Sequence, residues 1–381
     1  MKRTYLDYNS TTPLDSAVMD FMSAALGSVY GNPSSIHVEG RKARTIIDES
    51  REAVASLLTC QASEIIFCGS GSECNNLALK GISEAFKNKG NHLITSKVEH
   101  PSVINTFKYL EGKGWKVTYL DVDRWGNLNL NDLKAAIQSD TVLVSLMMAN
   151  NETGVLFPIQ EAASVAREKG VLFHTDAVQA VGKIDVNIRE LNVDLLSLAA
   201  HKFYGPKGVG ALYIRKGTHL EPVTHGGGQE DGRRGGTENI GGIMGLARAA
   251  EIVKDLLPQE MERLKGLKLY LKEGLEKTIK NVVFNVDHDC NLPNTLSVGF
   301  KGISGESLVM ALDLEGFAVS SGSACSSGAL NPSHVLTAMK LDDETIDGTL
   351  RLSLGRWSRS SEIDDFLKVL PPIIERVDTT L

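Results

Sequence analysis

No apolar run in this 381-residue chain approaches the roughly 18 residues that would cross a bilayer as a helix; the best, Thr141 to Ala149, stops at Asn150. The opening MKRTYLDYNSTT has two basic residues but no apolar stretch behind them, so no secretory signal is expected. Cysteine is scarce, with five residues at 60, 68, 74, 290 and 325, an odd number scattered over a large chain. That argues against a disulfide framework and for free thiols in a reducing, cytoplasmic compartment. A strong charge of one sign is also missing. Lys+Arg 40 less Asp+Glu 47 leaves −7, a poor basis for gripping nucleic acid or an anionic membrane surface. What is present, 42% hydrophobic and 23% charged residues without internal repeats, excludes disorder and fibrous folds and points to an enzyme.

The length suggests two domains, a larger and a smaller one. Thr12-Pro13 reads as the N-cap and first position of a helix, followed by a Gly31–Ser35 loop and a second helix. Short β-rich runs at 64–68, 92–95, 116–122, 141–148, 171–175, 194–198 and 210–214 then alternate with helical stretches near 73–87, 101–112, 131–138 and 158–169. Such alternation predicts an α/β domain with a mostly parallel sheet flanked by helices, and a ligand site at the carboxyl ends of its strands. From Ile240 a helix is expected through Leu257, with Pro258 starting or kinking another. The strands and helices beyond it have the α+β character of a smaller domain.

Candidate chemistry begins at Asp194–Gly210, where an apolar strand runs into His201-Lys202 and a Gly-Pro-Lys-Gly turn. A lysine placed there can be desolvated into a neutral amine that forms a Schiff base with an aldehyde, although a solvated strand-end lysine is the bland alternative. Asp176 ends the preceding strand and could pair with a cationic heterocyclic nitrogen, or simply cap a helix. A pyridoxal phosphate site needs such a lysine and such an acid. Cys68 to Glu73 joins a strand to a helix, and its amides and hydroxyls could cradle a phosphate. His100 lies at another strand–helix junction, where it could stack on a planar ring or serve only the helix start. Cys325 sits among Ser, Gly and Ala, which suits a mobile loop carrying an accessible thiol. Arg351 suits a bidentate grip on a carboxylate, with a structural salt bridge as its alternative.

Taken in order, Tyr5–Thr12, Gly31–Ser35, Ser96–Pro101, Asn150–Gly154, His174–Gln179, His201-Lys202, Gly226–Thr237, Ser321–Gly328, Pro332–His334 and Arg351–Arg356 resemble the NifS/IscS-type cysteine desulfurases. These are fold type I pyridoxal phosphate enzymes related to class V aminotransferases. The resemblance implies that Lys202 carries the cofactor and moves the Cα proton, that Asp176 holds the pyridine nitrogen, and that His100 stacks on the ring and assists proton transfer. It gives Gln179 and Asn151 the phenolic oxygen and the substrate carboxylate region, and Gly71, Ser72 and His201 the phosphate. Thr237 would reach a phosphate in the other subunit of a homodimer, Arg351 would bind the carboxylate of L-cysteine, and Cys325 would take the sulfur as a persulfide. An iron–sulfur scaffold or another acceptor would receive it, and no metal ligands are expected. The implied division is 1–15 as a segment of the smaller domain, 16–257 as the large cofactor-binding domain, and 258–381 as the smaller domain bearing Cys325.

Some positions depart from that family. Gly71 and Ser72 stand where alanine and threonine are usual, Ala199 where a phosphate-binding serine is usual, and Tyr8 and Ser10 where asparagine and alanine are usual. Losing the serine predicts weaker cofactor binding. Another fold type I enzyme (a selenocysteine lyase or class V aminotransferase) would keep Lys202 and Asp176 without needing Cys325. A non-catalytic sulfur-transfer subunit would not need Lys202.

Overall fold

The computed structural model describes residues 3–286, 290–322 and 332–378. Among them the strands are β1 (Thr4–Tyr5), β2 (Ile65–Cys68), β3 (His92–Ser96), β4 (Lys116–Leu120), β5 (Thr141–Met147), β6 (Leu172–Asp176), β7 (Leu195–Ala199), β8 (Gly210–Ile214), β9 (Val282–Phe284), β10 (Thr295–Phe300), β11 (Phe317–Ala318), β12 (Ser320–Ser321) and β13 (Thr349–Ser353). Seven form one sheet in the order β2-β8-β7-β6-β5-β3-β4. Its pairs are parallel from β7 through β4, and β8 runs antiparallel to both neighbours. The expected mostly parallel α/β sheet is therefore present.

Side-chain alternation builds three layers. Ile65, Phe67, Val144, Phe173 and Leu196 enter one core with residues of the helices Val38–Leu58, Ile159–Glu168 and Ile240–Thr278. Ile66, Cys68, Leu143, Leu195 and Leu212 enter another beneath the helices Gly71–Phe86 and Pro101–Glu111. A separate four-stranded antiparallel sheet, β12-β13-β10-β9, packs with Leu6, Leu271, Leu312 and Phe366 in a third core. Strand β1 pairs in parallel with β11, which draws the start of the chain toward that sheet.

Two local expectations change. The first helix begins at Ser16 rather than after Thr12, with Asp15 accepting from the Ala17 N–H. Thr12 is engaged elsewhere: its N–H and hydroxyl both donate to the His201 carbonyl, and its hydroxyl accepts from the Tyr204 N–H at 2.7 Å. Pro258 does not divide the long helix, which runs unbroken over Ile240–Thr278. Proline costs that helix one N–H donor, but Leu246 and Val253 anchor one half in the first core and Leu264 and Leu271 anchor the other half in the third. Burial on both sides outweighs the missing hydrogen bond.

Candidate active site

The strands β5, β6 and β7 are parallel, so their carboxyl ends lie together. Above them is a cavity of about 290 Å³ lined by Gly71, Ser72, His100, Asn151, Asp176, Gln179, His201, Lys202 and Arg351. Nine residues predicted for one site thus meet around one space. Thr237 is exposed and does not line it, and Cys325 lies outside the described residues.

Lys202 ends the short turn Ala200–Lys202 that leaves β7. The Thr12 contacts pin this turn from both sides, and the Lys202 ammonium donates to the carbonyls of Asn9 and Ser10, each at 2.7 Å. Asp176 is the last residue of β6 and is 5% exposed. Its Oδ1 accepts from the Val178 N–H at 3.0 Å and its Oδ2 from Asn75 Nδ2 at 2.7 Å. Gln179 donates through Nε2 to the Asn9 carbonyl at 2.9 Å and accepts from the buried Lys183 through Oε1. His100 proves to be both a helix cap and a cavity residue, its Nδ1 accepting from the Ser102 N–H at 3.1 Å.

The expected phosphate cradle is a helix start. Ser70 caps the helix Gly71–Phe86, its hydroxyl accepting from the Glu73 N–H. That leaves Ser72, together with the helix amino end, to face an anion. Glycine at 71 has a steric reason: a Cβ there would lie 2.7 Å from Val178 Cγ2, so the bulk of Val178 occupies the room an alanine would need. The cradle is braced from behind. Glu73 accepts from the Gly69 N–H and from Arg234 Nε, each at 2.7 Å. Glu230 anchors the same Gly/Arg-rich segment, although it and Asp231 adopt left-handed φ of 48° and 55°. A bidentate pair with Arg51 at 2.7 and 2.9 Å and the Phe67 N–H at 3.0 Å hold it there.

Arg351 makes the structural salt bridge anticipated for it and also lines the cavity. It is 2% exposed and bonds to Asp7 at 2.7 Å, Ser10 Oγ at 2.6 Å and the Asn151 carbonyl at 3.0 Å. Its Nε–H is sealed from solvent and finds no acceptor among the described residues. The departure at Ser10 is thereby explained, since its hydroxyl helps hold the guanidinium. Tyr8 fills the space beside Gly355, where an added Cβ would come within 2.0 Å of Tyr8 Cδ1.

Charges set the character of the space. Burial, reinforced by Lys202 and Arg351, pushes the pKa of Lys183 well below the ordinary lysine value. Burial also takes His201 down to about 4, with Lys202, Lys207 and Lys183 adding. Glu99, fully buried one residue before His100, is raised to about 8 chiefly by desolvation. The cavity pairs a carboxylate at Asp176 with cations at Lys202 and Arg351, which suits a ligand with one cationic ring and two anionic groups.

The pattern of the Aminotransferase class-V family matches residues 4–366. A cysteine desulfurase IscS of Dictyoglomus turgidum is 49% identical, covering 100% of this chain and 96% of its own length. A solved NifS-like protein superposes with TM-score 0.92 at 39% identity over 100% of both chains. The chain belongs to the class V aminotransferases, in their cysteine desulfurase branch. A further solved relative, SspA in complex with cysteine, has TM-score 0.82 and 36% identity over 92% of this chain and 98% of its own. Members of this branch depend on pyridoxal phosphate, and the residues fit it. Glycine and serine at a helix start, a buried carboxylate and a strand-end lysine face one cavity.

Several contributors escaped sequence reading. Asn9 is the hub, contacting Lys202, Gln179, Lys183, Asn151, Asn294, Thr295 and Ser353. Its segment, Tyr5–Thr12, carries part of the family resemblance, but its role could not be read there because those partners are distant in sequence. Asn75 and Lys183 had a signal in their spacing, each standing four residues beyond a predicted site residue, Gly71 and Gln179.

Proposed function

We propose that this enzyme converts L-cysteine to L-alanine and passes the sulfur, as a persulfide on Cys325, to an iron–sulfur scaffold or another acceptor. The observation carrying this reading is the meeting of Lys202, Asp176 and Arg351 around one cavity in a chain of the cysteine desulfurase branch. Pyridoxal phosphate, when bound, supplies an aldehyde for amines and a cationic ring that withdraws electrons from the substrate α-carbon. Lys202 would hold the aldehyde, Asp176 the ring nitrogen, and Gln179 the phenolic oxygen. Gly71, Ser72 and His201 would hold the phosphate, and His100 would lie over the ring.

Arg351 and Asn151 orient the substrate carboxylate. Arg351 is fixed by Asp7 and Ser10, so little side-chain freedom is lost on binding. Lys202 Nζ takes the α-proton and returns it, its reach limited by the two carbonyls that hold it. The Cys325 thiolate attacks the substrate sulfur; the S–S bond forms as the Cβ–S bond breaks, and the carbon fragment leaves as alanine after protonation.

We assign residues 16–257 to a cofactor-binding domain, and 1–15 with 258–381 to a smaller one. The shared core of Leu6, Leu271, Leu352 and Phe366 supports this division. We place the enzyme in the cytoplasm as a homodimer in which Thr237 serves the other subunit's phosphate. An exposed apolar stretch supports a second copy: Leu14, Met19, Phe21, Leu26, Tyr30, Ile36 and Val38 all face outward. Among the described residues no helix is long and apolar enough to cross a membrane.

The test is alanine and sulfide release from L-cysteine by the holoenzyme, with mass analysis of the peptide bearing Cys325. Cys325→Ala should abolish sulfur transfer and the added sulfur mass. Unchanged transfer in that variant would reject the reading.

A further inference from the structure

Four polar groups behind the ring site form one hydrogen-bonded line. Asp176 Oδ2 accepts from Asn75 Nδ2 at 2.7 Å, Asn75 Nδ2 also donates to Ser102 Oγ at 2.9 Å, and Ser102 Oγ lies 2.8 Å from His100 Nδ1. Both Nδ2 hydrogens of Asn75 are thereby committed. The amide cannot turn over, because that would set its oxygen against the Asp176 carboxylate. Asn75 Oδ1 is buried and finds no donor among the described residues, a cost an apolar side chain would not incur.

The far end of the line decides where His100 keeps its hydrogen. The Ser102 backbone N–H donates to Nδ1 at 3.1 Å, and an amide N–H can only donate. Nδ1 must therefore present its lone pair, and the neutral ring carries its hydrogen on Nε2. With Nδ1 bare, the 2.8 Å contact to Ser102 Oγ requires the hydroxyl, which also accepts from Asn75, to direct its hydrogen to the same Nδ1. Burial, Lys202 and His334 disfavour the charged ring, while Asp176 opposes them.

We propose that Asn75 and Ser102 are positioning residues that tie Asp176 to His100 and hold His100 as an Nε2–H donor. In that form His100 donates a hydrogen bond within the cavity and has no lone pair to offer as a base. Removal of the α-proton then falls to Lys202. This division of labour rests on the reading under Proposed function, whereas the tautomer itself does not.

The experiment is a long-range 1H–15N spectrum of holoenzyme labelled with 15N-histidine, the His100 signals being assigned with His100→Asn. The wild type should show Nε2 protonated and Nδ1 bare at pH 8. In Ser102→Ala and Asn75→Ala the His100 midpoint should rise, because the hydroxyl no longer donates to Nδ1 or is released to turn. In both variants kcat for alanine formation should fall roughly tenfold, as for one lost hydrogen bond to a charged or reacting group, with KM for cysteine within about twofold. Ser102→Thr, which keeps the hydroxyl, should restore both. A hydrogen on Nδ1 in the wild type overturns the proposal even if the variants fail to fold. So do variants whose His100 titration and kcat match the wild type. Absence of alanine from wild-type enzyme would count against the proposed activity, while the spectrum would still read the tautomer.

Discussion

At the ring end of the cavity, Asp176, Asn75, Ser102 and His100 hold one another through side chains drawn from β6 and two helices. At the end proposed for the phosphate, Gly71, Ser72 and Ala199 are small, His201 is the large group beside them, and the helix amino end supplies much of the polarity. Each side chain of the ring end has a partner that loses its bond if that side chain is removed, so single changes there are costly. The phosphate end relies on backbone that a side-chain substitution leaves in place. Glu73 and Arg234 brace it from outside the cavity. Charge is handled differently as well. Beside Asp176, burial raises the second carboxyl, Glu99, to about 8, whereas at the opposite end burial among lysines lowers His201 to about 4.

The contrast predicts a graded series. Asp176→Asn removes the charge that favours a protonated ring nitrogen while leaving Asn75 an oxygen to bond. Alanine formation should fall about 100-fold or more, read as kcat at saturating cofactor. Glu99→Gln comes next, and its effect is on stability. The Glu99 carboxyl, at about 8 against an ordinary 4.5, keeps its proton in the folded chain where the unfolded chain has lost it. Its cost therefore grows as pH rises from about 4.5 to about 8 and is absent below that window. The glutamine keeps the bonds from Ser96 and Met147 and removes that cost. The variant should be more stable than wild type by about 4 kcal/mol at pH 8 and by almost nothing at pH 4, measured as urea midpoints.

Arg351→Lys tests the third corner. A point charge in place of a planar fork cannot serve Asp7, Ser10, the Asn151 carbonyl and a substrate carboxylate together. The KM for cysteine should rise about tenfold, with kcat less affected. Smallest of all, Ala199→Ser should tighten pyridoxal phosphate binding by about fivefold, or roughly 1 kcal/mol, measured as cofactor dissociation. No gain there would mean that Ser72 and the helix end already saturate the phosphate.

The alternation of β-rich and helical segments was enough to place the strands of the seven-stranded sheet to within a residue or two, and to put Lys202 and Asp176 at the carboxyl ends of neighbouring strands. The helix boundaries at Thr12 and Pro258 were misread for one reason. Capping and proline signals are local, whereas Thr12 is claimed by the turn at His201–Tyr204 and Pro258 lies between two anchored halves. The departures at Gly71 and Ser10 were visible in the sequence but had no meaning until Val178 and Arg351 were seen beside them.

Residue order and hydrophobic period by themselves determined the layered α/β sheet and the strand ends that carry Asp176 and Lys202, because both act over a few neighbouring residues, while the resemblance in motif order supplied most of the other candidate side chains. Tertiary structure alone decided that Asn9 would join seven partners, that Asn75 and Ser102 would link Asp176 to His100, and that Glu99 would be sealed from water. Those outcomes depend on segments far apart in the chain meeting in a low-dielectric interior, where each polar atom is governed by what lies opposite it in space.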